Sequence, residues 1–132
     1  MTDTDTCPCG SGRTLSDCCG PFIDGAATPQ TAEQLMRSRY TAYTLARADY
    51  LHATWHPTTR RGELGLDEPV RWLGLKILRS EQGGPNDDRG LVEFVARYKV
   101  DGRAHRLHEV SRFQRRDGRW LYVDGETGAD AS

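Results

Sequence analysis

Four cysteines fall within thirteen residues of this chain, as Cys7-Pro8-Cys9 and, after an eight-residue spacer, Cys18-Cys19. Thiolate sulfur is a soft ligand. Four of them at about 2.3 Å around a tetrahedral Zn²⁺ make a closed site, with no position left for water. Such an ion holds a loop together and does not activate a nucleophile. Gly10 and Gly12 allow a tight turn after Cys9 that aims peptide N–H groups at the sulfurs. Thr14 to Cys18 has the length of one helical turn, enough to return the second ligand pair. Other readings of the same residues stand beside zinc. Structural disulfides are disfavoured in a reducing compartment, a redox switch would depart from the Cys-x-x-Cys spacing, and an iron–sulfur cluster also takes four thiolates.

A second set of chemistry-bearing residues lies in the C-terminal half, where apolar and polar residues alternate. Two-residue turns at Asp101-Gly102 and Asp117-Gly118 fix a hairpin register. Pairing Val100 with Arg103 sets Tyr98 opposite His105, Ala96 opposite Leu107, Phe94 opposite Glu109 and Val92 opposite Ser111. Carried through the second turn, the same count sets Phe113 opposite Tyr122 and Ser111 opposite Asp124. One face then collects Val92, Phe94, Ala96, Tyr98, Leu107, Phe113, Trp120 and Tyr122, with Glu109, Ser111 and Asp124 among them. The other face carries Glu93, Arg97, Lys99, Arg106, His108 and Arg112 and reads as solvated. A carboxylate among aromatic rings must pair or shift its pKa upward. Arg37, Arg39, His52 and His56 are the candidate partners from the helical half. The expected arrangement is a network of Arg37, Arg39, His56, Tyr98, Glu109, Ser111 and Asp124. It would either anchor helix to sheet or line a ligand pocket. Its catalytic form would pair His56 with Glu109 or Asp124 as acid and base. His108 is next to Glu109 but faces the other way.

These residues need elements to hold them. Thr31-Ala32-Glu33-Gln34 has capping-box spacing, and Leu35, Met36, Tyr40, Ala42, Tyr43 and Ala46 follow at helical intervals. Asp49 is placed to cap a second short helix through Tyr50, Leu51, His52 and Trp55, ended by Pro57. Gly20 to Thr28 reads as a linker and Arg60 to Glu68 as a loop. From Val70 the period changes to two, with Leu73, Leu75 and Ile77 alternating with Trp72, Lys76 and Arg79. Strands are expected over Leu91–Val100, Arg103–Arg115 and Arg119–Asp124. Helices first and then an antiparallel meander predict an α+β fold, the helices packed on one face of the sheet.

Composition bounds the function. The chain has 132 residues, 36% hydrophobic and 28% charged, the profile of an ordinary globular protein. Eighteen basic against nineteen acidic residues argue against a general nucleic-acid or membrane-surface binder. No apolar run has the length of a membrane span, and the polar start, Met1 to Thr6, is unlike a signal peptide; a cytoplasmic protein is expected. No nucleophile elbow, phosphate-binding glycine loop or catalytic metal motif occurs.

Cys-Pro-Cys-Gly-Ser-Gly followed by Cys-Cys resembles the SEC-C motif, best known at the C-terminus of the preprotein-translocase ATPase. The resemblance implies one structural zinc at Cys7, Cys9, Cys18 and Cys19, on a surface used for docking to a protein partner. The family's spacer is rich in lysine, whereas this one offers Arg13 and adds Asp17, which argues against docking by positive charge. Leu35-Met36-Arg37-Ser38-Arg39-Tyr40, Thr54-Trp55-His56, Trp72-Leu73-Gly74-Leu75, Val92-Glu93-Phe94, His108-Glu109-Val110-Ser111-Arg112-Phe113 and Trp120-Leu121-Tyr122 are similar to the YchJ family of small bacterial proteins. That likeness implies a SEC-C knuckle over residues 1–24 and a nuclear-transport-factor-2-like domain over residues 25–132. The body would be a curved antiparallel sheet wrapped around helices as a cone with a pocket. Such bodies serve both enzymes and non-catalytic binders. The expected function is a zinc-binding adaptor, with the knuckle for a protein and the cone for a partner or small ligand. An isomerase or hydrolase in the pocket, or a knuckle that is only a structural lid, are the alternatives.

Overall fold

Both Asp-Gly pairs adopt the left-handed conformation at each residue, with φ of 52° and 80° at Asp101-Gly102 and 54° and 78° at Asp117-Gly118. This is the turn whose twist matches that of the strands it joins. The computed structural model describes residues 6–59 and 70–127. In it the turns connect the last three strands of a four-stranded antiparallel sheet of order β1-β2-β3-β4. The strands are β1 (Val70–Gln82), β2 (Arg89–Val100), β3 (Arg103–Arg116) and β4 (Arg119–Thr127). Helices α1 (Gly20–Ile23), α2 (Ala32–Thr44) and α3 (Ala48–Ala53) precede them, giving the expected α+β order. The loop expected over Arg60 to Glu68 lies outside the described residues.

The register of β2 on β3 is the one the turn dictates, with Tyr98 opposite His105, Phe94 opposite Glu109 and Val92 opposite Ser111. Across β3 and β4 it holds at Phe113 opposite Tyr122 and then slips. Arg112 faces Asp124 and Ser111 faces Gly125, so Val123 is an extra residue in β4. The expected pairing of Ser111 with Asp124 is thereby corrected, because a bulge shifts every later side chain to the opposite face. Strand β1 departs from strict alternation in the same way. Leu73 and Leu78 are the unpaired residues at two irregularities, and both are exposed, at 45% and 43%. Trp72, expected outside, turns inward against the core with Leu75 and Ile77.

Helix α2 begins where the capping pattern puts it. The Thr31 hydroxyl accepts from the Gln34 N–H at 3.1 Å, while the Gln34 side chain accepts from the Gln30 N–H at 2.7 Å, one residue upstream of the usual box. Leu35, Met36, Tyr40 and Ala42 are its buried face. In α3 the cap position is Arg47, not Asp49; Asp49 lies in the first turn and accepts from Arg47 Nε at 3.2 Å. The stretch expected as a linker contains α1, which has Pro21 in its first turn, where a proline is tolerated. Beyond α3, the chain hooks onto β4 as the His56 N–H donates to Tyr122 O at 2.7 Å and the Tyr122 N–H donates to Thr54 O at 2.8 Å.

The start of α2 sits on the base of the β1–β2 hairpin, where the Ala32 N–H donates to Gly83 O at 2.9 Å. A Cβ at Gly90 would lie 2.6 Å from Gly83 Cα and 2.9 Å from Ala32 Cβ, so this approach requires glycine. Gly90→Ala is expected to destabilise the protein by about 1–3 kcal/mol through overpacking. A lowered urea midpoint with an unchanged slope would report it.

Candidate metal centre and cavity

The N-terminal segment folds back on itself before the helices begin. Thr6 bridges Thr14, the Cys7 N–H donates to Arg13 O at 2.8 Å, and the Gly10 N–H donates to Cys7 O at 3.2 Å. A single 3₁₀ turn over Leu15–Asp17 then delivers Cys18, whose N–H donates to Leu15 O, and Cys19 stands at the N-cap of α1. The four sulfurs of Cys7, Cys9, Cys18 and Cys19 consequently lie within 4.8 Å of one another. Cys9 Sγ is 3.6 Å from Cys18 Sγ, which is 3.9 Å from Cys19 Sγ. Metal–sulfur bonds of about 2.3 Å in a tetrahedron set an edge of about 3.8 Å, so the set fits a single ion. All four are free cysteines, separated by more than a disulfide's span.

Cys7, Cys9 and Cys19 are buried, and Cys18 is half-buried beside the Ser11 hydroxyl at 3.2 Å. Helix α2 supplies the back wall. Thr41 Oγ1 lies 3.5 Å from Cys7 Sγ, and Arg37 Nη1 donates to Cys9 O at 2.8 Å and lies 3.8 Å from its sulfur. Hydrogen bonds from Cys19 and Cys7 hold the Cys9 thiol well below the ordinary value. Cys19, tied to Cys7 and Cys9 and buried, is pushed up; burial raises Cys18 as well. The cluster can therefore hold a cation with a guanidinium against one of its ligands, a contact of the kind that tunes ligand orientation.

On the far side of α2 a cavity of about 250 Å³ opens between helices and sheet. Aromatic and apolar side chains form most of its wall, among them Tyr40, Tyr43, Trp72, Phe94 and Leu107. Arg39, Glu109 and Ser111 are its polar members together with the tyrosine hydroxyls. Arg39 is 4% exposed; its Nη1 donates to Leu51 O at 2.9 Å and to Thr54 Oγ1 at 2.6 Å. Its guanidinium carbon lies 4.7 Å from the centroid of the Tyr122 ring and 5.6 Å from that of Trp55. Glu109 accepts from the Ser111 hydroxyl at 2.6 Å and lies over Gly125, where a Cβ would come within 2.2 Å of the carboxylate. The bulge at Val123 thus places a residue without a side chain beneath this acid.

Of the residues expected in one network, Arg39, Glu109 and Ser111 meet at this cavity. Asp124 does not; the bulge turns it to the opposite face, where it accepts from Arg112 Nε at 2.6 Å. Arg37 belongs to the cysteine cluster and pairs with Glu33 at 3.0 Å. Tyr98 stacks on His105, with centroids 5.2 Å apart, and packs on Trp72. His56 is buried, but its Nδ1 accepts from the Thr58 N–H at 3.2 Å and lies 2.8 Å from the Thr58 hydroxyl. His52 is exposed. The expected solvated face is where His108 meets Glu93 at 2.6 Å and Arg79 meets Glu93 at 2.6 Å. Trp72 and Gly125 line or support the cavity without a sequence signal, because both owe their positions to bulges.

Two measurements follow. Arg37→Gln is expected to weaken metal binding by about tenfold while leaving helical circular dichroism unchanged, as read by competition with a chromophoric chelator. Burial pushes the phenols of Tyr40 and Tyr122 up to about 12. Between about pH 10 and that value the unfolded chain releases protons the native chain retains, so stability falls as pH rises. Ultraviolet titration should find these tyrosines un-ionised at about pH 11 until the chain unfolds.

The comparisons agree with this geometry. The family profile described as YchJ, middle NTF2-like domain, matches residues 31–125, and the SEC-C motif matches residues 4–21. A UPF0225 protein of Chromobacterium violaceum is 56% identical, with 90% of each chain covered. One from Geobacter sulfurreducens is 45% identical over 92% of this chain and 79% of its own. The solution structure of a SEC-C motif-containing protein from Rhodopseudomonas palustris superposes with a TM-score of 0.82 at 37% identity, covering 92% of this chain and 98% of that one. The crystal structure of a SEC-C motif-containing protein from Psychrobacter arcticus shares the fold, with a TM-score of 0.77 at 24% identity over 99% and 87%.

Proposed function

Because the chain belongs to the YchJ-like family of UPF0225 proteins that carry a SEC-C motif, we propose that it is a zinc-stabilised, non-catalytic binding protein of the cytoplasm. The knuckle docks a protein partner and the cavity takes a small ligand. The four-sulfur cluster carries the reading. It offers a tetrahedron of soft ligands, three of them buried, which fills all four positions and leaves none open for substrate. Cys7, Cys9, Cys18 and Cys19 would hold the ion, and its chemistry there is to bind the loop's two ends together. A multi-iron cluster would hold its thiolates farther apart than these sulfurs stand. No helix among the described residues is long and apolar enough to cross a membrane.

The placement of the acid and base candidates supports a binder over an isomerase or hydrolase. His56 is engaged by Thr58, Asp124 faces away from the cavity, and Glu109 has a serine, not a histidine, as its hydrogen-bond donor. Docking would use the outer edge of the knuckle, where Gly12, Arg13, Ser16 and Asp17 are exposed. A knuckle that serves as a structural lid is the second reading, and the burial of Cys7, Cys9 and Cys19 in one cluster with Leu35, Tyr40 and Phe94 favours it.

Metal analysis of the purified chain is expected to find about one zinc per protein, lost in the Cys18→Ser, Cys19→Ser double variant. A folded, metal-free chain with four reactive thiols would exclude the site. To separate the readings, Arg13 and Asp17 are replaced by Ala, which leaves the cysteines intact. Partners retained by wild type and lost by this metal-loaded variant support docking; partners indifferent to it leave the lid.

A further inference from the structure

Arg39 is a buried cation with no anion paired to it among the described residues. Its Nη1 donates to a carbonyl and a hydroxyl, and the Tyr43 phenol is its further side-chain hydrogen-bond partner. Tyr43, Tyr50 and Tyr122 surround the guanidinium, but phenols do not supply a negative charge at neutral pH, and burial holds that of Tyr122 up to about 12. Ring faces and a carbonyl dipole lower the cost of burying the charge without cancelling it. The group lines a cavity together with Tyr43, and a guanidinium is the planar fork that matches a carboxylate.

Glu109 shares that cavity yet is not within ion-pair distance of Arg39 among the described contacts, and its carboxylate is already bonded by Ser111. A second anion near it would be repelled, so the cavity suits one negative charge and not two. Between the two groups the wall is Tyr40, Tyr43, Trp72, Phe94 and Leu107, a surface for an apolar, ring-sized body. The volume of about 250 Å³ exceeds the roughly 150 Å³ that admits benzene.

We propose that the cavity binds a small aromatic or aliphatic monocarboxylate, with its carboxylate on Arg39 and its apolar body between α2 and the sheet. This deepens the binding reading above and rests on the cavity being a ligand site. The specificity follows from the two charges. Arg39 selects the acid, Glu109 rejects a dicarboxylate, and the aromatic wall rejects short hydrophilic acids.

The test uses the full chain and five probes: 3-phenylpropionate, indole-3-acetate, the neutral amide of each, and phenylsuccinate as the dicarboxylate. Binding is followed by titration in amide-resolved nuclear magnetic resonance. The acids are expected to bind at least about tenfold more tightly than the amides, the worth of one charge-assisted contact, and phenylsuccinate more weakly than the monoacids. Arg39→Gln should abolish the preference. Should that variant fail to fold, Leu107→Trp fills the cavity without touching Arg39 and should abolish binding. Amides that bind as well as acids would overturn the assignment of Arg39 while leaving the cavity a site. Absence of binding by every probe, at millimolar concentration, would overturn the ligand site itself.

Discussion

Helix α2 carries two arginines, Arg37 and Arg39, whose opposite directions organise the molecule. Two residues along a helix turn a side chain by about 200°, so neighbours of this kind serve opposite sides. Arg37 reaches the carbonyl and sulfur of Cys9, while Arg39 reaches the carbonyl of Leu51 at the end of α3. One helix is thereby the shared wall of knuckle and cavity. A guanidinium suits this position because it remains charged when buried and can bond in several directions at once.

This placement makes the knuckle more than a tail. Its cysteines pack with Leu35 and Tyr40 of the same helix, and Thr41 touches Cys7. The four sulfurs lie within 4.8 Å of one another, and as thiolates they would repel without a cation between them. An ion that removes their protons replaces that conflict with attraction. Binding of an ion there would therefore be coupled to the seating of α2 through Arg37 and Thr41.

The parts of the structure that were legible in the sequence are those set by local chemistry. Cysteine spacing located the cluster, the Asp-Gly pairs fixed the β2–β3 register, and Thr31 located the start of α2. Arg39, Glu109 and Ser111, grouped from the alternation and helix spacing, line one cavity. The failures share a cause. Leu73, Leu78 and Val123 are extra residues in their strands, and no residue type announces a bulge. Each slip reverses the faces that follow, which sent Trp72 inward and Asp124 outward. Arg37 was misjudged for a different reason: a chain that folds back from position 9 onto a helix at 37 is a long-range contact, invisible to periodicity.

The extra residue in β4 also bears on how this family's sequences should be compared. Asp124 and Gly125 exchange faces if Val123 enters the ladder opposite Arg112, so the cavity would gain a second acid without any substitution or deletion. A relative of the same length that pairs without the bulge would keep both amino acids and yet enclose a different electrostatic environment, whereas one lacking Val123 would keep both faces as they are here. Sequence identity at these two positions is therefore a poor guide to shared ligand preference. The pairing register of the segment between Tyr122 and Asp124 is the more informative character.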